Sequence, residues 1–526
     1  MTPFIWQSIA SLLIYIGLAV FYSMRFSQSF AIHEPVLWCT ITTLVVLLFF
    51  MVREVARGRV SNRILVGFGI AMALAAMAIR PFHSTDVYGY INRGWQQVHY
   101  GLNPYVYTID TIPGWQNDPM LTNHWVNNPS PYGFIYLLIA KSLCFLGLLT
   151  GATDKGALLW WFKGSNVLVH LGTAYIIWQG VSFTAKQIKK SIEAEDASQP
   201  NSPLPFDAIE PQKNRFTWCN FKVLTECPPE RQAQVTLALY LFNPLILFHE
   251  IANAHNDLWM GFFLTLAGYV AITANWLWLI PAVFASVLIK YGSVVLIPFA
   301  LLLLIKQKQI KVGVLQGGFL ALMIAALTGV SYLGDWQHFH LKEISRNALV
   351  SHSSLHAFWF ATWKVIFKLF GHLTADQREV VRQGLSTLLT SSFGLFYIGF
   401  LFKRIRDVDY TAQKWIQDSV LILMILIGLI SLKFYAWYIG IFFGMSLLLP
   451  MNDWRKLFTW TFSLMQLMSL TIVGQSHILN FALMSAVPWV SVALPGLKLK
   501  RVLIAAITLS VLGGGILIAS LLGLRH

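Results

Sequence analysis

The chain has 526 residues, 56% of them hydrophobic and only 12% charged, with a net charge of +15. A soluble domain of ordinary composition carries about 25% charged residues, so this composition excludes one. The positive charge does not form one basic surface, as nucleic-acid binding would need. Much of it falls in short blocks between apolar runs, at 53–63, 186–190, 306–311, 403–407 and 498–501.

Apolar runs of the length that spans a hydrocarbon core recur from end to end. Backbone groups in lipid must bond internally, so the runs are expected to be helices. The first, "FIWQSIASLLIYIGLAVFYSM", lacks a basic stretch before it and a small-residue cleavage site. It reads as a retained helix. Basic blocks mark the cytoplasmic side. On that rule 4–24 leaves the cytoplasm, 35–52 returns and 64–80 leaves again, delivering "RPFHSTDVYGYINRGWQQVHYGLNPYVY" to the outside. If 132–149 and 158–181 both crossed, "KQIKK" would fall outside. The first also carries Lys141, at a cost of about 2.5–3.5 kcal/mol near a helix centre. Residues 132–149 are therefore expected at the outer interface.

Residues 182–233 have a Pro/Ser-rich centre and little periodicity, which predicts a disordered cytoplasmic linker. It divides an N-terminal transmembrane module, 1–181, from a C-terminal one, 234–526. Further crossings are expected near 234–249, 257–274, 276–289, 292–305, 312–333, 384–402, 415–432, 434–450, 457–474, 479–496 and 501–523. Residues 334–383 form a second outer loop whose "HAFWFATWKVIFKLFG" suits an interfacial helix. The fold class is all-α and polytopic, with about 15 transmembrane helices (range 12–15). The four cysteines, Cys39, Cys144, Cys219 and Cys227, have neither metal-site nor disulfide spacing.

On this topology the conspicuous polar residues share one face. Asp86 follows the third helix, and "HEIANAHNDLWM" brings His249, Glu250, His255 and Asp257. Lys290 and Tyr291 end one helix, Lys433 and Tyr435 sit at a later turn, and His352 and His356 lie in the second loop. Ionisable residues at the rim of membrane helices usually face a cavity. Each has a plainer role beside it. Asp86 suits a helix cap, Lys290 and Lys433 could snorkel, "AHND" suits a turn, and the aromatics suit an interfacial belt. A carboxylate can act as general base on an acceptor hydroxyl, and lysines can stabilise a departing phosphate. Nucleotides are scarce outside a cell membrane, so a sugar donor there would be carried on a lipid.

The chain resembles the GT-C membrane glycosyltransferases, in particular the bacterial polyprenol-phosphate-mannose-dependent mannosyltransferases. The resemblance rests on "DVYGYINRGWQQVHYGLNPY", "NNPSPYGFIYLL", "LFNPLILFHEIANAHNDLWMGFFL", "SVLIKYGSVVLIPFALLLL" and "LKFYAWYIGIFFGMSLLLP", in that order, over about residues 64–450. It implies a GT-C-like fold and an essential acid at the start of the first large outer loop, here Asp86. Many members carry a second acid nearby, whereas "TDVY" has no adjacent one. No cofactor is therefore expected, and a divalent metal is not indicated.

The resulting expectation is an inverting hexosyltransferase of the cell (inner) membrane, with its active site on the periplasmic or extracellular side. It would move mannose or another hexose from a polyprenyl-phosphate donor to a glycan, lipid or protein acceptor. Asp86 would be the base, with Lys433, Lys290 and Arg93 on the donor phosphate. Tyr88, Asn103, Tyr105, His255, Asp257 and Tyr435 would shape the substrate pocket. Membrane lipids are expected partners and nucleic acid is not. The competing reading is a transporter or flippase of a lipid-linked glycan, which would need polar residues at mid-membrane depth.

Overall fold

The computed structural model describes residues 2–24, 30–198, 227–333, 354–359, 374–471 and Trp489. It is all-helical, with no strand among the described residues. Six helices are long and apolar enough to cross a membrane: Pro3–Ser23, Ile32–Ala56, Lys155–Lys190, Ile310–Leu327, Glu379–Arg406 and Ala412–Ile430. The pair Pro229–Leu241 and Ile246–Ala252, bent by 56°, makes a seventh if counted as one span. Shorter apolar helices stand where the sequence predicts several of the other crossings, including Asn62–Ala78, Asp257–Ile272 and Tyr291–Lys306. The spans expected at 479–496 and 501–523 lie outside the described residues apart from Trp489, as do His352 and most of the 334–383 loop.

In chain order, α1 (Pro3–Ser23), α2 (Phe30–Ala56) and α3 (Asn62–Ala78) pack together. Lys163, only 2% exposed, reaches from α6 (Lys155–Ser198) to the carbonyls of Met77, at 3.1 Å, and Ile79. A cation there suits the negative end of the α3 dipole, and it fixes where the chain leaves that helix. Helix α4 (Asp86–His99) is amphipathic and packs on α5 (Phe134–Leu149). A Cβ on Gly94 would strike the Ala140 carbonyl and the Cys144 sulfur, so only glycine permits that approach. Lys141 on α5 is exposed.

Helix α6 runs past 181, where the sequence predicts the linker to begin. The segment "KQIKKSIEAEDAS" is rich in good helix formers, so the helix continues to Ser198. Residues 199–226 are outside the described set. Helix α7 (Pro229–Leu241) packs against α6 and is broken at Asn243–Pro244. Pro244 cannot donate to the preceding turn, and the Asn243 side chain instead accepts from Leu245 N at 3.0 Å and donates to Ser463 Oγ at 2.8 Å. The chain then enters a π-helical turn, Ile246–Ala252, a form common at functional sites. It carries His249 and Glu250, both fully buried.

Next come α8 (Asp257–Ile272), α9 (Leu279–Val287), α10 (Ile297–Lys306) and α11 (Gly317–Leu333). The rest is α12 (Ala375–Arg406), α13 (Ala412–Ile425), α14 (Gly440–Leu447) and α15 (Trp454–Met465). Helix α14 lies across α8, with Gly440 against Gly261.

Candidate active site

A cavity of about 470 Å³ opens where the start of α4, the 125–132 loop and the 433–438 segment meet. Its wall includes Asp86, Arg93, Tyr132, Lys290, Lys433 and Tyr435.

The "NAHN" turn between the π-helical segment and α8 organises this region from behind. The Asn253 side-chain Oδ1 accepts from the backbone N–H groups of Phe82, His83 and Ser84, at 3.0, 3.1 and 3.4 Å. Asn166, inside α6, donates to the carbonyls of Glu250 (2.6 Å) and His255 (2.8 Å). Tyr90 on α4 donates to Asn256 Oδ1 at 3.2 Å. Ala254 takes a φ of 55°, an uncommon conformation for a residue with a Cβ. Side-chain amides thus fix the backbone on both sides of Asp86.

Asp86 begins α4 and its N–H donates to Ser84 Oγ at 3.2 Å. Its carboxylate makes no helix cap; Thr85 is the capping position. It is 27% exposed, with His124 Nε2 at 3.5 Å from one oxygen and His255 Nδ1 at 3.7 Å from the other. Burial pushes this carboxyl up, but His124, His255 and the Lys290 charge outweigh it and hold it below the usual value. It is therefore ionised and able to accept a proton. His255 is itself drawn down to about 3 by burial, against the pull of Asp86, so it faces Asp86 uncharged at neutral pH.

The two lysines differ. Lys290 bonds Asp257 at 2.8 Å and sits 4.3 Å from the centre of the Tyr438 ring. Asp257 outweighs burial and raises the Lys290 ammonium, keeping it charged. Lys433 is lowered by burial, partly offset by Asp86. Both line the cavity with Asp86.

The other expected site residues divide. Arg93 lines the cavity, but its guanidinium also holds the carbonyls of Trp125 (2.9 Å) and Asn128. Tyr435 is part of a ring stack with Trp437 (4.4 Å between centres) that continues to His255 (3.9 Å). His255 and Asp257 stand behind the wall, fully buried. Asn103 and Tyr105 are not brought to it. Asn103 donates to the Tyr332 carbonyl at 2.7 Å, and Tyr105 donates to that of Tyr132, supporting it from outside the cavity. Tyr88 is half-buried against the core instead. Asp118, another carboxylate of the loop, is taken up by Trp95 Nε1 (2.8 Å), Tyr100 Oη (2.7 Å) and Met120 N (2.8 Å).

Several residues here escape a reading of the sequence. His124, Trp125 and Tyr132 sit in a turn-rich stretch, and Trp437 and Tyr438 look like an interfacial belt. Glu250 lies below the site; its Oε2 accepts from Leu258 N at 3.1 Å, and its Oε1 fills the space a Cβ on Gly440 would need. Among the described residues no three His, Cys, Asp or Glu side chains are grouped to hold a metal ion.

Residues 13–184 and 217–306 match the family described as alpha-(1->6)-mannopyranosyltransferase, N-terminal domain. By that match the chain belongs to this GT-C-type mannosyltransferase family. It is therefore a glycosyltransferase, with a sugar donor and a glycan acceptor. No curated protein and no solved structure matches it. The matched region of this mannosyltransferase includes Asp86, His124, His255, Asp257 and Lys290; Lys433 lies beyond it.

Proposed function

We propose that the protein transfers one hexose, mannose by the family's name, from a polyprenyl-phosphate carrier to an acceptor hydroxyl, with inversion. The fold is GT-C-like, with about 15 crossings, and the reaction runs on the outer face of the inner membrane. The observation that carries the reading is the carboxylate of Asp86 held ionised in one cavity with Lys290 and Lys433.

Asp86 takes the proton of the acceptor hydroxyl as its oxygen attacks the anomeric carbon. The bond from that carbon to the phosphate oxygen breaks on the opposite side, so a single displacement inverts the centre. Lys433 and Lys290 stabilise the charge gathering on the departing phosphate. Arg93 adds positive potential while holding the loop that closes the cavity, and Tyr435 offers a ring face to the sugar. The placement also agrees with topology. Helices α3 and α10 each have one end beside a basic segment (53–63 and 306–311), and the chain at the other end reaches the cavity through His83 and Lys290.

Purified protein in lipid, given polyprenyl-phosphate mannose and a soluble mannoside, should release free polyprenyl phosphate and form a disaccharide of inverted anomeric configuration. Retention of configuration, or no release across a panel of polyprenyl-phosphate sugars, would sink the reading.

A further inference from the structure

Asp86 has two imidazole neighbours, and they are built differently. His255 is sealed and stacked on Trp437. His124 keeps 22% of its side chain exposed, with Nε2 at 3.5 Å from Asp86 Oδ1. Its Nδ1 lies 3.1 Å from Thr85 Oγ1, so the residue next to Asp86 fixes the far side of the ring. Nε2 is buried without a hydrogen-bond partner.

The placement is enforced by α4. Asn92 donates to the carbonyls of Thr122 and His124, at 2.9 and 3.1 Å, and accepts from Thr122 N at 2.9 Å. Arg93 grips the same segment at Trp125 and Asn128. Position 89 is glycine, and a Cβ there would come within 3.2 Å of the His124 ring. Trp125, the next residue, has a φ of 54°, a conformation rare for a bulky side chain. Strain of this kind persists where surrounding contacts over-determine it, often at active sites. Here the contacts aim one imidazole at one carboxylate.

We propose that His124 is the positioning partner of Asp86 and the exit for its proton. The inference rests on the glycosyl-transfer reading. In the tautomer whose Nδ1–H is donated to Thr85 Oγ1, the Nε2 lone pair faces Asp86. The acceptor proton passes first to the Asp86 carboxylate as the glycosidic bond forms and the phosphate leaves. It then moves from Asp86 to His124 Nε2, giving imidazolium and restoring the carboxylate, and His124 releases it to water. No other reactant is needed. The charged and titratable groups facing Asp86 from the packed elements are His255, Asp257, Lys290 and Lys433, with the phenols of Tyr90, Tyr132, Tyr136, Tyr435 and Tyr438.

The test is His124→Gln in the full-length protein, assayed with polyprenyl-phosphate mannose and a mannoside. Turnover should fall about 10²-fold, the low end for a positioned proton-transfer group, while the donor KM stays unchanged. The acid side of the pH–turnover profile should change shape in the variant, where Asp86 is left without its imidazole partner. Imidazole in the buffer should restore part of the activity of His124→Gly, which also serves if His124→Gln folds poorly. His99→Gln, an exposed histidine at the far end of α4, should match the parent. An arm independent of turnover follows the Asp86 carboxyl band, the one missing in Asp86→Asn, by infrared titration. Its midpoint should rise when His124 is replaced. Unchanged kcat with an unchanged pH profile, or an unmoved carboxyl midpoint, would overturn the proposal. A moved midpoint in a protein that transfers no sugar would instead count against the glycosyl-transfer reading alone.

Discussion

The two ends of the helix bundle pair their titratable groups differently. Helix α13, extended by a π-helical turn to Ile430, joins them. At its start Arg404 makes a two-point pair with Asp418, both bonds 2.7 Å, and Lys414 bonds Asp407. Nearby Lys306 donates to the Ile405 carbonyl at 2.7 Å and Gln307 to that of Tyr410 at 2.8 Å. Lys456, 1% exposed, is surrounded by Thr236 Oγ1 and the carbonyls of Leu447 and Leu449, at 2.9, 3.0 and 3.0 Å. At the Asp86 end, both ring nitrogens of His249 and His255, Glu250 Oε1, Asn256 Nδ2 and Asp257 Oδ2 are buried without a hydrogen-bond partner. Buried polar groups are normally satisfied. At the Arg404 end the charged groups are tied into pairs as a structural fastening, although Trp415 Nε1 and Ser419 Oγ there are also unpartnered. At the Asp86 end the open atoms belong mainly to imidazoles and carboxylates, which have capacity left for substrate or water.

Substitutions should therefore separate activity from stability according to the end they strike. Asp86→Asn should show the largest effect, about a 10²–10⁴-fold loss of transfer, with folding and extraction retained. Near-parental turnover would demote Asp86 and return attention to Asp257 or Glu250. Arg404→Met should do the reverse. It leaves Asp418 buried and unpaired, which costs about 3–5 kcal/mol, yet activity per folded molecule should hold. A thermal melt beside an assay normalised to folded protein decides this.

Within the Asp86 end the two lysines sharpen the contrast. Lys433→Ala should raise the donor KM by about 10-fold, roughly 1.4 kcal/mol, and Lys433→Arg should recover part of it. Lys290→Met should weaken donor use and also lower the melting temperature, because Asp257 loses its cation. If Lys433→Ala left donor kinetics alone, Lys433 would be a snorkelling lysine and not a phosphate ligand.

The smallest effect is on pH dependence. The Asp86 pKa is depressed in the folded protein, so its share of stability is present above the unfolded carboxylate value. That share is lost as pH falls through the lower folded value. Asp86→Asn should flatten the acid side of a melting-temperature profile in that window and lower the plateau above it by that share.

Much of the Asp86 end was legible in the chain itself. Lone ionisable groups between apolar runs stand out because lipid tolerates so few, and the basic blocks assign them to one side. That reasoning brought Asp86, Lys290, Lys433 and Tyr435 to one cavity wall. It also placed Asn103 and Tyr105 there, whereas they bond the carbonyls of Tyr332 and Tyr132 outside it. An "NPY" turn looks alike whether it lines a cavity or supports a residue that does.

Composition and hydrophobic run length, both local properties, determined by themselves that the chain is all-helical and apolar enough for a membrane, and which polar residues are out of place there. Only the tertiary structure decided how those residues are used. The Lys290–Asp257 pair joins positions 33 apart in sequence and Asn253 clamps a segment about 170 residues away. The hold of Asn92 and Arg93 on the His124 loop depends on backbone carbonyls. A carbonyl carries no side-chain identity, so hydrogen bonds to it leave no pattern in the sequence.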